Sequence, residues 1–431
     1  MTSSSAATAT ADNDDNNNKA NSSNDPATTG LPVAFVVVST AEIAKAKVIP
    51  ALHSVPSTVL IGVSSRNKER AQTFVDENCS IGDDGGDHHH YHCRGMTHDE
   101  VLSSSSSDAV YVPLPSKIRN KFIKNSLEHG KHVYSEKPHG GTVLELKSVL
   151  DLAASRNLQW MDGTMWYHSN RTKIMEEKLF GDDSDNLGKV RRVSASFTWG
   201  SNGLVDRDWI EGGNGRTDPA REPMGMLGDS GHYPISVVAW AFGWELPTKV
   251  RATYTKRNTL GAIIECEAVL LFRDGGRAII DTSCECPHRS QFEVVCEKGV
   301  LKIDDLVGGQ GRSGNFGAYE GPFVGSSSFV LGDHLGKDVV VQVEPCDHVQ
   351  SLVKEFSKSV QNIRDNGGKA NPEWSKRSLC THTIMCAIFE SSMRGGVDVE
   401  FSLSEEVGTK YIIGGETFHD IPTRDWNKDE P

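Results

Sequence analysis

The stretch VAFVVVSTAEIA, residues 33–44, decides the fold. It begins with an unbroken apolar run, which is typical of a strand buried on both faces of a parallel sheet. Small and polar residues follow and lead into a helix-like segment over 41–52. A buried strand, a tight turn and a helix form the first unit of a doubly wound α/β fold, and the start of such a helix binds phosphate. The sequence therefore predicts a dinucleotide-binding fold that begins at this stretch.

Alternation of strands and helices continues outward from that stretch to about residue 163. This alternation predicts a parallel sheet with helices on both faces, and we assign residues 31–163 to a Rossmann dinucleotide-binding domain. The predicted strands are Thr58–Val63, Ala109–Val112, His132–Ser135 and Leu158–Met161, and the predicted helices are Lys68–Asn78, Lys117–His129 and Val143–Ser155.

The pattern changes after Thr164. Longer segments of alternating polar and apolar residues appear, separated by turn signals such as DGG at 274–276, and they predict an antiparallel sheet. We therefore expect a C-terminal α+β domain over 164–415, built on an open, mainly antiparallel sheet, and a tail over 416–431. The predicted strands are Val190–Trp199, Lys249–Tyr254, Ile263–Phe272, Ala278–Glu285, Gln291–Glu297 and Val300–Ile303, and the predicted helices are Ser230–Trp240 and Trp374–Arg394.

Composition and charge exclude several classes of function. The 431 residues carry a net charge of −13, which argues against general binding to nucleic acid or to an anionic membrane. No apolar run approaches the length of about 18 residues that spans a bilayer. Nine scattered cysteines without a C-x-x-C pair indicate reduced thiols and a cytoplasmic protein. Residues 1–30 are polar and predict a disordered tail without the apolar segment of a secretory signal.

A low-complexity insert over 79–107 contains four histidines and then a run of serines; the histidines are His88, His89, His90 and His92. Histidine is a common ligand of transition metals. Contiguous histidines on a flexible loop have no fixed geometry, however. We therefore interpret the insert as a surface loop and expect no bound metal.

The first strand-to-helix turn holds five candidate cofactor-binding residues, Ser39, Thr40, Ala41, Glu42 and Ile43. The G-x-G-x-x-G pattern of dinucleotide-binding turns is missing, since small residues stand where the glycines would be. The backbone of such a turn can still approach a pyrophosphate at the helix start. The alternative is a buried strand, turn and helix that bind no ligand.

The end of the second strand carries Ser64, Ser65 and Arg66. Sites that prefer NAD place Asp or Glu here to bond the ribose hydroxyls, whereas arginine binds a phosphate through two parallel hydrogen bonds. The sequence therefore predicts NADP, with NAD the less favoured cofactor. The alternative role of this segment is a helix N-cap made by Ser65 or Asn67.

Glu136, Lys137 and Pro138 directly follow the predicted strand His132–Ser135. Ligands of open α/β sheets bind at the carboxyl ends of the strands, and a proline fixes the backbone next to the lysine. These residues therefore predict a charged lysine held over a cleft. The alternative is an ordinary surface turn.

Three further blocks, together with these residues, carry a resemblance to a known family. They are YVPLP at 111–115, DGTMW at 162–166 and GDSGHYPI at 228–235. The chain is similar over about residues 32–400 to the glucose-fructose oxidoreductase / inositol dehydrogenase / rhizopine-catabolism family. Within that family it looks most like dimeric dihydrodiol dehydrogenase and NADP-linked D-xylose dehydrogenase.

The resemblance implies a catalytic site. Lys137 matches the family's catalytic lysine, and its bond to Pro138 is expected to be cis. Asp229 and Tyr233 match the D-x-G-x-[Tyr/His] element, and four residues apart on one helix they share a face. A lysine cation close to Tyr233 would lower the pKa of its hydroxyl, which makes tyrosine a usable base.

The resemblance also implies further binding residues. Arg119 stands where relatives usually carry histidine, and its role is open. Arg216 lies with Trp209 and Arg221 in a charged loop that contacts either substrate or solvent. Trp166 has the alternative role of core between the domains. The additional cofactor-binding residues are Pro113, Leu114, Glu136, Lys137 and Trp166, and the substrate-binding residues are Lys137, Trp166, His168, Arg216, Asp229 and Tyr233.

These residues predict an NADP-dependent oxidoreductase that transfers a hydride between nicotinamide C4 and a CH–OH group of a sugar or a cyclic diol. One alternative is a non-catalytic NADP-binding sensor or partner protein, which the missing glycines favour. Another is a biliverdin-type reductase, which would not need Tyr233 as a base. By resemblance we also expect a homodimer or higher homo-oligomer formed through the open face of the antiparallel sheet.

Overall fold

The computed structural model describes residues 30–79, 92–182, 186–200, 206–307, 328–404 and 408–421. It divides into two units, Met1–Leu31 and Pro32–Pro431, and both sheets belong to the second unit. The tail at 1–29 and the histidines at 88–90, for which the sequence made predictions, lie outside the described residues.

The first sheet has six parallel strands in the order β3-β2-β1-β4-β5-β6. Every residue of β1 is buried, and its alternate residues pack into two separate cores on the two faces of the sheet. The doubly wound parallel sheet predicted from the apolar run is therefore confirmed. The strands are β1 Val33–Val38, β2 Thr58–Ser65, β3 Arg94–Thr97, β4 Ala109–Val112, β5 His132–Ser135 and β6 Trp160–Asp162.

Helices connect these strands in the order expected of the fold. The chain leaves β1 through a π-helical turn, Ala44–Val48, which continues directly into α1. A capping box formed by Thr142 and Glu145 fixes the start of α5. The helices are α1 Ile49–Ser54, α2 Lys68–Asn78, α3 His98–Ser103, α4 Ser116–Glu128 and α5 Val143–Ser155.

The low-complexity insert predicted over 79–107 is wrong in its second half. Residues 94–103 form β3 and α3, which extend the parallel sheet at one edge. Thr97 and Glu100 form a capping box that starts α3, and this pattern is visible in the sequence. Gly95 allows β3 to lie close to α2, because a Cβ there would be 2.3 Å from the backbone nitrogen of Gln72. The run of serines after α3 concealed these signals.

The second sheet has eleven strands in the order β14-β13-β12-β11-β7-β10-β9-β8-β15-β16-β17. Strands β10 and β7 pair in parallel, and the other pairs among the described strands are antiparallel, which confirms the mainly antiparallel sheet. The strands are β7 Val190–Thr198, β8 Lys249–Arg257, β9 Ile263–Leu271, β10 Arg277–Ser283, β11 Arg289–Cys296, β12 Gly299–Ile303, β13 Ser328–Asp333, β14 Asp338–Gln342, β15 Val399–Ser404, β16 Gly408–Ile413 and β17 Glu416–Phe418.

The C-terminal tail predicted from residue 416 is wrong at its start. Gly414 and Gly415 have φ of 59° and 89°, and they turn the chain back so that β17 pairs with β16. Positive φ is accessible to glycine without strain, so this glycine pair is the signal of a hairpin that the sequence interpretation passed over.

Five α-helices of the described residues accompany the second sheet. The long helix α10 contacts α5 and β6 of the parallel sheet as well as α8 and β8 of the second sheet. It therefore ties the two sheets together and leaves a cleft between them. The helices are α6 Asn170–Phe180, α7 Gly225–Asp229, α8 His232–Ala241, α9 His348–Asn366 and α10 Pro372–Met393.

Candidate active site

A cleft of about 980 Å³ lies at the carboxyl ends of the parallel strands and extends to the second sheet. In open α/β sheets this is where ligands bind. Most residues predicted for the site line this cleft: Ser39, Thr40, Ala41, Glu42, Ile43, Ser65, Arg66, Pro113, Leu114, Glu136, Lys137, Arg216, Asp229 and Tyr233. The structure therefore brings the two predicted groups, cofactor-binding and catalytic, to one cavity.

The turn after β1 has an unusual backbone. Ser39 has a φ of 118°, a region that L-residues other than glycine rarely adopt, and its N–H donates to Ser64 O at 2.9 Å. Ser39 therefore adopts the conformation for which dinucleotide-binding turns use glycine. The turn lines the cleft and leads into the helical start of Ala44–Val48, so its backbone fits a bound pyrophosphate despite the missing glycines.

Arg66 and His98 form the polar end of the cleft, at the carboxyl edges of β2 and β3. Ser64 is buried beneath them and its Oγ lies 3.0 Å from His98 Nδ1. Asn67 caps α2 by accepting from Arg70 N at 2.7 Å, so the alternative N-cap role falls to Asn67 and leaves Arg66 at the cavity. Burial, and then the charge of Arg66, lowers the pKa of His98, which keeps its ring neutral at physiological pH. Sequence reasoning missed His98, because it assigned this segment to the insert.

Lys137 extends from the end of β5 into the cleft, and its bond to Pro138 is cis, as the resemblance implied. Its Nζ donates to Asp229 Oδ1 at 2.9 Å and to Asp229 O at 3.0 Å. The other carboxylate oxygen of Asp229 accepts from Arg216 Nε at 2.9 Å. One carboxylate thus bridges two cations, and the Lys137 side chain is only 12% exposed.

The charges of this cluster stabilise one another. Burial alone would lower the pKa of Lys137, but Asp229, Tyr233 and Glu136 together outweigh it and the pKa is raised. Burial would raise the pKa of Asp229, but Lys137 and Arg216 outweigh it and hold the pKa well below its usual range. Both groups are therefore charged throughout the physiological pH range.

Tyr233 lies beside the ammonium group. Lys137 Nζ is 4.7 Å from the centroid of the Tyr233 ring, and the Tyr233 hydroxyl contacts Met165 Sδ at 3.8 Å. Asp229 and Tyr233 were expected on one helix, but α7 ends at Asp229 and α8 begins at His232. The two residues between the helices keep right-handed helical backbone angles, so both side chains still converge on Lys137.

Trp166 and His168 lie outside the cleft lining, whereas their neighbour Met165 forms part of it. Trp166 is 2% exposed and its indole N–H donates to Ser236 Oγ at 3.0 Å. His168 is also buried, where its ring stacks on Trp374. A short 3-10 helix over Met165–His168 turns both side chains into the core, so the alternative role of Trp166 as core describes its packing.

The wall of the cleft formed by the second sheet includes residues that sequence reasoning had not assigned. Phe197 and Trp199 at the end of β7 line the cavity, and the Phe197 ring lies 5.2 Å from that of Tyr233. The guanidinium of Arg216 lies over the Trp199 ring at 5.9 Å. Strand alternation predicted β7 but not that its last residues reach Tyr233 and Arg216, because that contact depends on how the two sheets pack.

Glu222 is a further buried ionisable residue that lines the cleft. It is 9% exposed, and burial raises its pKa to about 7, although Arg119 opposes the shift. A carboxyl group of this kind next to a cluster of charges is typical of functional sites.

Among the described residues, three or more His, Cys, Asp or Glu side chains nowhere gather in a way that could hold a metal ion. No helix within the described ranges combines the length and the apolar character needed to cross a membrane.

The fold and the site together define a class of dinucleotide-dependent oxidoreductases. The parallel nucleotide-binding sheet places a lysine at a strand end. The second, mainly antiparallel sheet domain supplies a carboxylate and a tyrosine. Two family profiles agree with this class: "Oxidoreductase family, NAD-binding Rossmann fold" matches residues 33–164, and the GFO/IDH/MocA C-terminal domain matches residues 183–302. The chain belongs to the GFO/IDH/MocA family of oxidoreductases.

Similar proteins extend over most of the chain. A dTDP-3,4-didehydro-2,6-dideoxy-alpha-D-glucose 3-reductase from Actinomadura kijaniata is 25% identical over 83% of this chain and 95% of the relative. A D-xylose 1-dehydrogenase (NADP(+)) from Haloferax volcanii is 24% identical over 84% of this chain and 98% of the relative.

Solved structures show the same fold. A 3-ketoreductase from Actinomadura kijaniata in complex with NADP and TDP-benzene superposes with a TM-score of 0.65 at 22% identity, covering 83% of this chain and 97% of that one. An aldose-aldose oxidoreductase from Caulobacter crescentus superposes with a TM-score of 0.66 at 16% identity, covering 86% of this chain and 99% of that one.

Proposed function

We propose that this protein is an NADP-dependent oxidoreductase that transfers a hydride between nicotinamide C4 and a CH–OH group of a sugar or a cyclic diol. The observation that carries the proposal is the Lys137–Asp229 ion pair, which lies in the cleft with Lys137 Nζ 4.7 Å from the Tyr233 ring centroid. A charged lysine beside a tyrosine, at the strand ends of a nucleotide-binding sheet, supports proton transfer next to a bound nicotinamide.

NADP is the proposed cofactor because of the charges at the far end of the cleft. Arg66 lies there with Arg70, and the residues directly after β2 are Arg66 and Asn67 rather than the Asp or Glu that would bond a ribose 2′-hydroxyl. A guanidinium binds a 2′-phosphate through parallel hydrogen bonds. The curated names of similar proteins point the same way, since the xylose dehydrogenase from Haloferax volcanii and a scyllo-inositol 2-dehydrogenase from Bacillus subtilis are both named as NADP(+) enzymes.

The chain's own residues perform the proton chemistry. When bound, a nicotinamide dinucleotide accepts or supplies the hydride. In the oxidation direction the carbinol carbon loses a hydride and its hydroxyl loses a proton to the phenolate oxygen of Tyr233, so that the alcohol becomes a carbonyl and Tyr233 becomes neutral. The Lys137 ammonium stabilises negative charge on both oxygens during this transfer, and Asp229 holds the ammonium in place through two hydrogen bonds.

The substrate proposed is a small polyhydroxylated ring, such as D-xylose or a trans-dihydrodiol. Phe197 and Trp199 line the cleft with aromatic rings, and Arg216 and Glu222 line it with polar groups. This combination binds a compound that has an apolar face and several hydroxyl groups. We further propose that the protein acts in the cytoplasm. We also propose that it forms a homodimer or higher homo-oligomer, and light scattering of the purified protein tests this oligomeric state.

The proposal is tested by following the absorbance of the reduced nicotinamide with NADP and NAD across aldoses and cyclic diols. We expect turnover with NADP, and a loss of at least about 10²-fold in kcat for Tyr233→Phe, since general base catalysis contributes about 10² to 10⁴. NADPH binding without any turnover across the panel would favour the sensor alternative. Full activity of Tyr233→Phe would favour a biliverdin-type reductase.

A further inference from the structure

Arg119 is a buried arginine, and its burial beside the cleft suggests a functional role. It lies in the first turn of α4, is 5% exposed and borders the cleft. A charged side chain is costly to bury unless hydrogen bonds and opposite charges compensate it. The contacts that compensate Arg119 all lead to the candidate active site.

The guanidinium donates to three backbone carbonyl groups. Its Nε donates to Leu114 O at 2.7 Å, and its Nη1 donates to Glu136 O at 2.6 Å and also to Pro138 O. The last two carbonyls belong to the residues on either side of Lys137. Leu114 belongs to the loop after β4, which lines the cofactor part of the cleft. One side chain thus joins the cofactor loop to the backbone on both sides of the proposed catalytic lysine.

Charged neighbours keep this guanidinium in place. Burial lowers the pKa of Arg119, and the carboxyl groups of Glu136 and Glu222 oppose that shift. The Glu136 carboxylate is itself held in place, because it accepts a hydrogen bond from Tyr111 Oη at 2.7 Å. Arg119 is therefore part of a buried group of polar side chains next to Lys137, and it is not a surface residue of α4.

We propose that Arg119 is a positioning residue, which holds Lys137 and the cofactor-facing Leu114 loop in a fixed relation for hydride and proton transfer. This inference rests on the proposed function of Lys137. Arginine suits the role because its planar group offers five donors in fixed directions, so it can bond three carbonyls that lie apart in the chain. Lysine would keep the charge but cannot bond the Leu114 loop and both Lys137 neighbours in that geometry.

The variants Arg119→Lys and Arg119→Gln test the proposal, with Arg171→Lys as the matched control. Arg171 is 4% exposed and likewise bonds a backbone carbonyl, at Asp305 O, but it lies outside the cleft lining. We expect both Arg119 variants to lose about 10²-fold in kcat, since a small misplacement of catalytic groups costs that much. The Kd for NADPH should change less than kcat, and Arg171→Lys should keep the wild-type kcat at a comparable loss in Tm.

A second measurement decides the positioning role without turnover. An amine-reactive reagent acylates only the neutral amine, so the acylation rate of Lys137, followed by mass spectrometry, falls the more firmly the ion pair with Asp229 holds its ammonium. We expect acylation of Lys137 to be faster in both Arg119 variants than in the wild type and in Arg171→Lys. Arg119 variants that keep the wild-type acylation rate and kcat would overturn the proposal. A wild-type protein with no turnover at all would instead reject the proposed function, and the acylation rates would still decide whether Arg119 positions Lys137.

Discussion

The cleft has two ends, the proposed catalytic end at Lys137 and the proposed phosphate end at Arg66, and they are built in opposite ways. At the catalytic end, Lys137, Asp229 and Arg216 form an ion-paired cluster of which two members are less than one-fifth exposed. At the phosphate end, Ser39 holds a backbone conformation with a φ of 118° and Arg66 is exposed. Several mutual contacts hold the side chains of the catalytic end in place. The geometry of the phosphate end depends instead on the strained turn at Ser39 and on the long, exposed side chain of Arg66. Substitutions at the first should therefore change rate, and substitutions at the second should change cofactor affinity.

Lys137→Met has the largest expected effect. It removes the cation that stabilises charge on the reacting oxygens, so we expect kcat to fall by about 10³-fold, within the range for one acid–base group. The Kd for NADPH, measured by fluorescence titration, should change by much less. Lys189→Met, which removes an exposed lysine paired with Asp274, is the control and should leave both constants unchanged. Equal losses in kcat and in cofactor affinity would break the contrast between the two ends.

Arg66→Ala tests the phosphate end. A hydrogen bond to a charged group contributes about 1.5–3 kcal/mol, so kcat/KM for NADPH should fall by roughly 10- to 100-fold. The value for NADH, which lacks the 2′-phosphate, should hardly change. Lys68→Ala is the control, because Lys68 is two residues away on α2 and pairs with Glu100 outside the cleft lining. The NADP assignment fails if the two cofactors are affected equally.

Local patterns in the sequence predicted the parts of the fold that depend on local physics. The apolar run of β1 required a strand buried on both faces, and β5 followed by Lys137 and Pro138 placed a charge at a strand end. The convergence of Asp229 and Tyr233 on Lys137 across 92 or more residues came from the family resemblance and not from spacing. Spacing alone placed both on one helix, and the structure separates them into α7 and α8.

Other features depended on signals that were present but not weighed, or on packing. Helix α9 has an N-cap at Asp347 and a left-handed C-terminal Gly367, both visible in the sequence, yet it was not predicted. The orientation of Met165 into the cleft and of Trp166 into the core is set by how a short 3-10 helix packs against α8. No periodicity in a four-residue segment determines that choice.

Glu222→Gln is expected to change stability in a pH-dependent way. Burial raises the pKa of Glu222 to about 7, above the value of about 4.3 for an exposed glutamate. The folded state thus holds this proton more tightly than the unfolded state, so stability is fully present below about pH 4 and is lost as the pH rises through 7. Glutamine resembles the neutral form and should avoid this loss, which is on the order of 3–4 kcal/mol at about 1.4 kcal/mol per pKa unit.

Thermal unfolding at two pH values checks the expectation for Glu222. The Tm of Glu222→Gln should match that of the wild type near pH 4.5 and exceed it at pH 8.5. Glu297→Gln, at an exposed carboxylate that pairs with Arg191, should show no such gain. A Tm difference that is the same at both pH values would mean that burial does not raise the pKa of Glu222.

Ser39→Gly has the smallest expected effect and sharpens the comparison most directly. A non-glycine residue at positive φ costs about 1–3 kcal/mol, and glycine removes that cost while adding chain entropy to the unfolded state. The net gain in the free energy of unfolding should be about 1 kcal/mol, and the Kd for NADPH should fall a few-fold because the pyrophosphate can approach the turn more closely. Ala41→Gly is the matched control: φ at Ala41 is not positive, so glycine there should destabilise by about 0.5–1 kcal/mol. If both variants lose stability, the turn at Ser39 is not strained. The phosphate end would then differ from the catalytic end only because Arg66 is exposed and is held less firmly than Lys137.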